Sequence, residues 1–78
     1  MNAKNLVISS IETADGSRCV DLFRRPDGTY GFEEYRRDPE DPHGWRAVAA
    51  YGRLVFETED AARAKAGRRV AWFDRTDR

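Results

Sequence analysis

Two strand-like segments joined by a Pro-Asp-Gly turn constrain the fold more than any other part of this chain. They extend from Cys19 to Tyr35, with Pro26, Asp27 and Gly28 between them. Proline presets the φ angle needed at the second position of a type I turn, and glycine accepts the positive φ of the G1 bulge that follows. The run therefore predicts a β-hairpin whose register can be counted from the turn.

Counting back from the turn predicts which residues pair across the hairpin. The pairs expected on one face are Arg24 with Tyr30, Leu22 with Phe32, and Val20 with Glu34. Phe23 is expected opposite Gly31 on the other face, where the aromatic ring covers the strand glycine. A shift of one residue would exchange the two faces, so this register is a sharp prediction.

Length and composition limit what surrounds the hairpin. A chain of 78 residues is expected to form a single domain, 1–78, with an ordered part at about 5–73 and short flexible termini. Hydrophobic residues make up 40% of the chain and charged residues 36%, which favours a folded protein with a charged surface. The 14 basic and 14 acidic residues balance, so no overall field attracts nucleic acid or an anionic membrane.

The N-terminal sequence and the single cysteine indicate a compartment. No apolar stretch reaches the roughly 18 residues of a membrane-spanning helix, and the N-terminus lacks the apolar region of a secretory signal. Cys19 has no second cysteine with which to form a disulfide, as is typical of a reducing compartment. We therefore expect a cytoplasmic protein that does not bind membranes.

Turn residues and helix signals divide the chain into five elements. Strands are predicted at 5–12, 18–25, 29–37 and 45–51, and a loop containing two prolines at 38–44. Thr58 is a good helix N-cap and is followed by Glu59 and Asp60, which predicts a helix from about 59 to 73. The expected fold is α+β: an antiparallel four-stranded β-meander with one C-terminal helix packed on one face, in the order ββββα.

The spacing of apolar residues predicts which surfaces form the core. In the helix, Ala62, Ala66, Val70 and Phe73 recur at intervals of three and four residues and form one stripe. This stripe is expected to pack on Val20, Leu22, Tyr30 and Phe32 of the hairpin. In the fourth strand, the residues expected to face the helix are Trp45, Ala47, Ala49 and Tyr51.

One helix covers only one face of such a sheet. The reverse face, meaning the sheet face turned away from the helix, is then expected to carry Cys19, Phe23, Tyr35 and Val48, with Val7 and Ile11, among Asp21, Glu33 and Arg46. A contiguous apolar patch of this kind favours a contact surface, and the alternative is that charged neighbours and the N-terminal segment cover it. The predicted partner surface is Phe23, Tyr35, Val48 and Arg46, for an unknown protein partner or a homodimer.

Catalytic chemistry finds little support in the sequence. His43 lies beside Asp38, Glu40 and Asp41, but their spacing matches no metal motif. Cys19 on a strand is typical of a small buried hydrophobe. Glu33 and Glu34 are expected on opposite faces of one strand and so cannot act together on one substrate. We predict a non-enzymatic protein with no catalytic residue, no cofactor and no metal.

The alternative function is binding of RNA or single-stranded nucleic acid. Basic and aromatic side chains flank the hairpin, and the residues concerned are Arg24, Arg25, Tyr30, Arg36 and Arg37. Such residues on a sheet can neutralise phosphates and stack on bases. Acidic residues lie close to each arginine pair, so ion pairs within the protein are the competing interpretation.

The layout of the chain also resembles known proteins. The segments that carry the resemblance are 22–32, 56–62 and 70–73, and they look like small uncharacterised proteins of proteobacteria. The run Gly28-Thr29-Tyr30-Gly31-Phe32 and the helix entry at 56–62 are also similar to the YegP-like family, which has a G-x-Y-x-F strand after a turn and a terminal helix. Neither resemblance implies a catalytic residue.

Overall fold

The computed structural model of the chain describes residues 4–38, 40, 44–70, 72 and 73. Four antiparallel strands form one sheet in the order β1-β2-β3-β4, and one helix follows them. The elements are β1 (Leu6–Glu12), β2 (Arg18–Arg24), β3 (Tyr30–Arg36), β4 (Arg46–Ala47), a 3₁₀ turn (Tyr51–Arg53) and α1 (Glu59–Arg69). The predicted α+β fold with the order ββββα is confirmed.

The hairpin turn has the predicted geometry. The Gly28 amide donates to the Arg25 carbonyl at 3.0 Å, and the Arg25 amide donates to the Thr29 carbonyl at 2.8 Å. Gly28 has a φ of +89°, which only glycine adopts without strain. The Asp27 carboxylate accepts hydrogen bonds from the backbone and the hydroxyl of Thr29, at 2.9 and 2.7 Å.

The register of β2 and β3 is the predicted one. The observed pairs include Arg24 with Tyr30, Leu22 with Phe32, Val20 with Glu34, and Phe23 with Gly31. Glu33 pairs with Asp21, so it lies on the face opposite to that of Glu34, also as predicted. The turn chemistry and the two-residue alternation were sufficient to assign the paired residues of this hairpin to their faces.

The prediction for β1 is half wrong. Val7 pairs with Phe23 on the reverse face, as expected, but Ile11 pairs with Val20 and packs against the core. The cause is a bulge between Val7 and Ser9, where Ile8 is the extra residue. One inserted residue reverses the alternation for the rest of the strand, so Ile11 turns towards α1.

The fourth strand is shorter than predicted and faces the other way. Only Arg46 and Ala47 pair with β3, and Ala47 lies opposite Tyr35, so the expectation that Ala47 faces the helix is wrong. The chain then leaves the sheet through the 3₁₀ turn and returns at Phe56, which exchanges two hydrogen bonds with Tyr30, at 2.8 and 3.0 Å. Tyr51 contacts the core, as predicted, with its ring 5.1 Å from that of Phe32.

The core lies between α1 and the face of the sheet that carries Leu22 and Phe32. Its buried members are Val20, Leu22, Phe32, Ala62, Ala66, Val70 and Phe73, which include the whole predicted helix stripe. The Thr58 hydroxyl accepts the Ala61 amide at 3.1 Å and caps the helix, as predicted. The helix ends at Arg69 instead of 73, because Val70 takes an extended conformation with φ −115° and ψ 98°.

A network of hydrogen bonds holds the turn between β1 and β2. The Asp15 carboxylate accepts the Thr13 hydroxyl at 2.7 Å and both the amide and the hydroxyl of Ser17, at 3.0 and 2.8 Å. These donors, with the Ser17 amide as the largest contribution, lower the pKa of Asp15 from 3.8 to about 2. Hydrogen bonds to the charged form cause such a shift.

The lowered pKa of Asp15 predicts a pH-dependent stability. A carboxyl whose folded pKa is depressed stabilises the fold above its unfolded pKa, and this contribution disappears as the pH falls through the folded value. We therefore expect the urea midpoint of the wild type to exceed that of Asp15→Asn above pH 4 and to converge with it by about pH 2. Urea unfolding curves of both proteins across this range test it, and a constant difference at every pH would contradict it.

Candidate interaction surface

The reverse face of the sheet carries an acidic and aromatic groove. Cys19 pairs with Tyr35 there and Asp21 pairs with Glu33. A cavity of about 240 Å³ runs along this face and is lined by Asn5, Val7, Asp21, Phe23, Glu33, Tyr35 and Gly52. Phe23 and Tyr35, two members of the predicted partner surface, therefore lie on the expected face.

The ring of Phe23 is covered by the protein itself. Only 8% of this residue is exposed. Its ring lies over Gly31, where an added Cβ would come within 2.8 Å of the ring. The Arg25 guanidinium lies 5.0 Å from the ring centroid, within the range of a cation–π contact. Phe23 thus fills a local packing site, and its apolar surface is hidden from a partner.

Arg25 joins the hairpin to the segment that follows the 3₁₀ turn. Its Nη1 donates to the Tyr30 carbonyl at 2.8 Å, and its Nη2 donates to the carbonyls of Gly52 and Leu54 at 2.8 and 2.9 Å. The same segment is held from the other side, because the Gly52 amide donates to Glu33 Oε2 at 3.1 Å. Arg25 is therefore a structural clamp, a role that its position in the sequence did not suggest.

Arg46 and Val48 do not share the reverse face with Phe23 and Tyr35. Arg46 pairs with Arg36, and the Val48 amide donates to the Glu34 carbonyl at 2.9 Å. Arg36 and Glu34 alternate with Tyr35 along β3, so this register places Arg46 and Val48 on the side of the sheet that carries α1. The prediction that these four residues form one surface is wrong, since the long loop before β4 left its register open.

Trp45 occupies part of the reverse face instead. It lines a cavity of about 150 Å³ with Ser10, Cys19, Asp21 and Tyr35. The Arg37 guanidinium lies 4.6 Å from its ring centroid, and 37% of Trp45 is exposed. The expectation that Trp45 faces the helix is therefore wrong. The alternation in Trp45-Arg46-Ala47 was the available signal, but it did not show which side was buried.

The environment of Cys19 disfavours nucleophilic chemistry. Its sulfur lies 3.2 Å from the Ser10 hydroxyl and 3.3 Å from Asp21 Oδ1. Burial, together with the nearby carboxylates of Asp21 and Glu12, raises the pKa of the thiol from 9.0 to about 11. Because the thiolate is the reactive form, this cysteine stays protonated and unreactive at neutral pH.

The most exposed apolar surface lies on β1, at the free edge of the sheet. Leu6 is 64% exposed, Val7 51% and Ile8 38%. These residues are consecutive, and β1 has a strand neighbour on one side only. No proline, lysine or arginine interrupts Leu6–Glu12, and such residues commonly protect edge strands. We call residues 6–8 the β1 edge; the apolar run was visible in the sequence, but its position at an edge was not.

The five residues of the predicted nucleic-acid surface lie in separate places. Arg25 donates hydrogen bonds to backbone carbonyls, and the Arg37 guanidinium packs on the ring of Trp45. Tyr30 packs against the core. Arg24 and Arg36 lie at opposite ends of the hairpin, about 20 Å apart at the rise of a strand. Arg24, Tyr30 and Arg36 lie on the side that carries α1, whereas Arg25 and Arg37 lie beside Phe23 and Trp45 on the reverse side. The five residues therefore form no single surface, and nucleic-acid binding stays a prediction without geometric support.

Neither a metal site nor a membrane-spanning helix is evident in the described residues. No group of three or more histidine, cysteine, aspartate or glutamate side chains in that part of the chain is placed to hold a metal ion. His43, the histidine considered for a metal site, lies outside the described residues. No described helix is long and apolar enough to cross a membrane.

Comparison with known proteins returns no match at any level. No family model fits the chain, and neither a curated protein nor a solved structure is significantly similar to it. The resemblance to the YegP-like family therefore stays a prediction.

Proposed function

We propose that this chain is a small, non-enzymatic cytoplasmic protein-interaction module that self-associates through the β1 edge. The observation that carries the proposal is the run of three exposed apolar residues on an edge strand. An edge strand offers unpaired amides and carbonyls, and strand addition is a common way of satisfying them. The reverse face, where Phe23 is covered, is the weaker candidate.

A second copy of the chain is the proposed occupant of this edge. The opposite side of β3 already pairs with β4, with the Val48 amide and with Phe56. The other edge of the described sheet is β4, which is only two residues long, so β1 is the longer free edge. Pairing of β1 with β1 of a second copy uses the same surface on both subunits and closes at two copies. The bulge at Ile8 limits the paired length on either side of it.

The test is the oligomeric state of the wild type and of edge variants. We expect a concentration-dependent dimer by sedimentation velocity between micromolar and millimolar protein. Leu6→Lys and Ile8→Lys should raise the dissociation constant about tenfold or more, because a lysine at an edge disfavours strand addition. Val55→Lys is the matched control, since Val55 is 64% exposed, as is Leu6, but lies away from β1.

A second readout separates edge pairing from packing of the sheet faces. Edge pairing should slow hydrogen exchange of β1 amides as the concentration rises, whereas face packing should not. A wild type that stays monomeric at millimolar concentration would overturn the self-association. Circular dichroism of each variant shows whether the fold is retained.

A further inference from the structure

Three arginines stand side by side across the sheet, on the side that carries α1. Arg18 pairs with Arg36 across β2 and β3, and Arg36 pairs with Arg46 across β3 and β4. We call these residues the arginine row. Residues directly opposite each other on neighbouring strands are about 5 Å apart, and like charges in such positions repel. Negative charge next to the row would therefore stabilise it.

Glu34 supplies that charge at one end of the row. It is 5% exposed, and its Oε2 lies 3.4 Å from Arg18 Nη1 and accepts the Trp72 indole N–H at 3.0 Å. A buried carboxylate requires such partners. Because Glu34 contacts Arg18 and Trp72, it compensates the β2 end of the row. The charge of Arg36 in the middle has no partner among the described residues.

The other two arginines line a cavity of about 380 Å³. Its walls are formed by Arg36, Asp38, Arg46, Ala47 and Val48. The Arg36 guanidinium makes no hydrogen bond or ion pair with the described residues, whereas Arg46 has contacts of its own. The Asp38 carboxylate, also in the wall, accepts the Glu40 amide at 2.9 Å. Arg36 is therefore the cationic group that this cavity offers to a ligand.

We propose that this cavity binds the phosphate group of a small, hydroxyl-bearing phosphomonoester. Guanidinium groups match phosphate oxygens through paired charge-assisted hydrogen bonds. The cavity volume lies in the range of small-molecule sites, and exceeds what a phosphate alone needs. The Asp38 carboxylate repels an anion but accepts a hydrogen bond from a hydroxyl, which favours an alcohol on the organic part of the ligand.

The test is a titration of the full chain with glycerol 3-phosphate and, separately, with inorganic phosphate, followed by NMR at constant ionic strength. We expect amide shifts at 36–38 and 46–48, with glycerol 3-phosphate the tighter ligand. Arg36→Gln should weaken binding about tenfold or more, since it removes charge-assisted hydrogen bonds. Arg24→Gln should leave it unchanged, because Arg24 is an exposed arginine at the other end of the hairpin.

Several outcomes would overturn the proposal. One is that high millimolar glycerol 3-phosphate shifts no amide signals. Others are that Arg36→Gln and the wild type bind glycerol 3-phosphate with equal affinity, or that sodium chloride causes the same amide shifts. A single-stranded RNA that binds more tightly than the phosphomonoester, and is weakened equally by Arg24→Gln, would assign the arginines to nucleic acid instead. Thermal unfolding provides an independent check: glycerol 3-phosphate should raise the Tm of the wild type but not that of Arg36→Gln.

Discussion

Phe32→Ala is expected to lower the free energy of unfolding by about 3–5 kcal/mol, the usual cost of truncating a buried phenylalanine. Phe32 is completely buried, and its ring lies 5.1 Å from that of Tyr51 and 6.0 Å from that of Phe56. It therefore joins the hairpin to the segment that returns to the sheet. A chain of this length has a total stability of about 4–12 kcal/mol, so a quarter or more of it would be lost.

Urea unfolding followed by circular dichroism measures this effect. Val55→Ala is the control, because Val55 is 64% exposed and its truncation should change stability by no more than about 0.5 kcal/mol. A similar, small effect of both substitutions would mean that Phe32 is not part of a packed core.

Arg25→Lys is expected to lower the free energy of unfolding by about 2–4 kcal/mol, although it keeps the charge. Arg25 reaches three backbone carbonyls from two nitrogens, and each hydrogen bond to a charged group contributes about 1.5–3 kcal/mol. A lysine ammonium cannot reproduce this planar, forked arrangement. The carbonyls of Gly52 and Leu54 would then lose their donor, and the contact over Phe23 would weaken.

The neighbouring arginine provides the matched control for this substitution. Arg24 is exposed and pairs with Tyr30 in the sheet, so Arg24→Lys should leave the urea midpoint nearly unchanged. If the two lysine variants were equally stable, the guanidinium of Arg25 would not be the clamp described here. A loss of RNA binding in Arg25→Lys with unchanged stability would point instead to the nucleic-acid role.

Side-chain alternation alone predicted part of the partner surface correctly. Phe23 and Tyr35 were placed on the correct face because the turn determines the register of the strands that it joins. Alternation could not show whether the ring of Phe23 is exposed. Arg25 covers that ring, and Arg25 is held by the carbonyls of Gly52 and Leu54, which lie 27 and 29 positions further along the chain. No local pattern contains that contact.

The predictions for β1 and β4, the two edge strands, were partly wrong because local patterns do not determine how these strands pair. With the bulge at Ile8, Val7 and Ile11 face opposite sides, and Ile11 packs against the core. In β4, the residue beside Tyr35 is Ala47 and not Arg46. The bulge in β1 lies several residues away from the turn that joins β1 to β2, and β4 follows a long loop. The segment after β4 is positioned by packing between residues distant in sequence, such as Tyr51 against Phe32.

From the amino-acid sequence alone it was possible to derive the element order, the β2–β3 register, the helix cap and the apolar stripe, because each depends on interactions between residues close together in the chain. Only the tertiary structure revealed the arginine row, the Arg25 clamp and the exposed β1 edge. These features arise where strands distant in sequence meet. Their energies depend on which side chains become neighbours, and that is decided when the whole sheet packs against the helix.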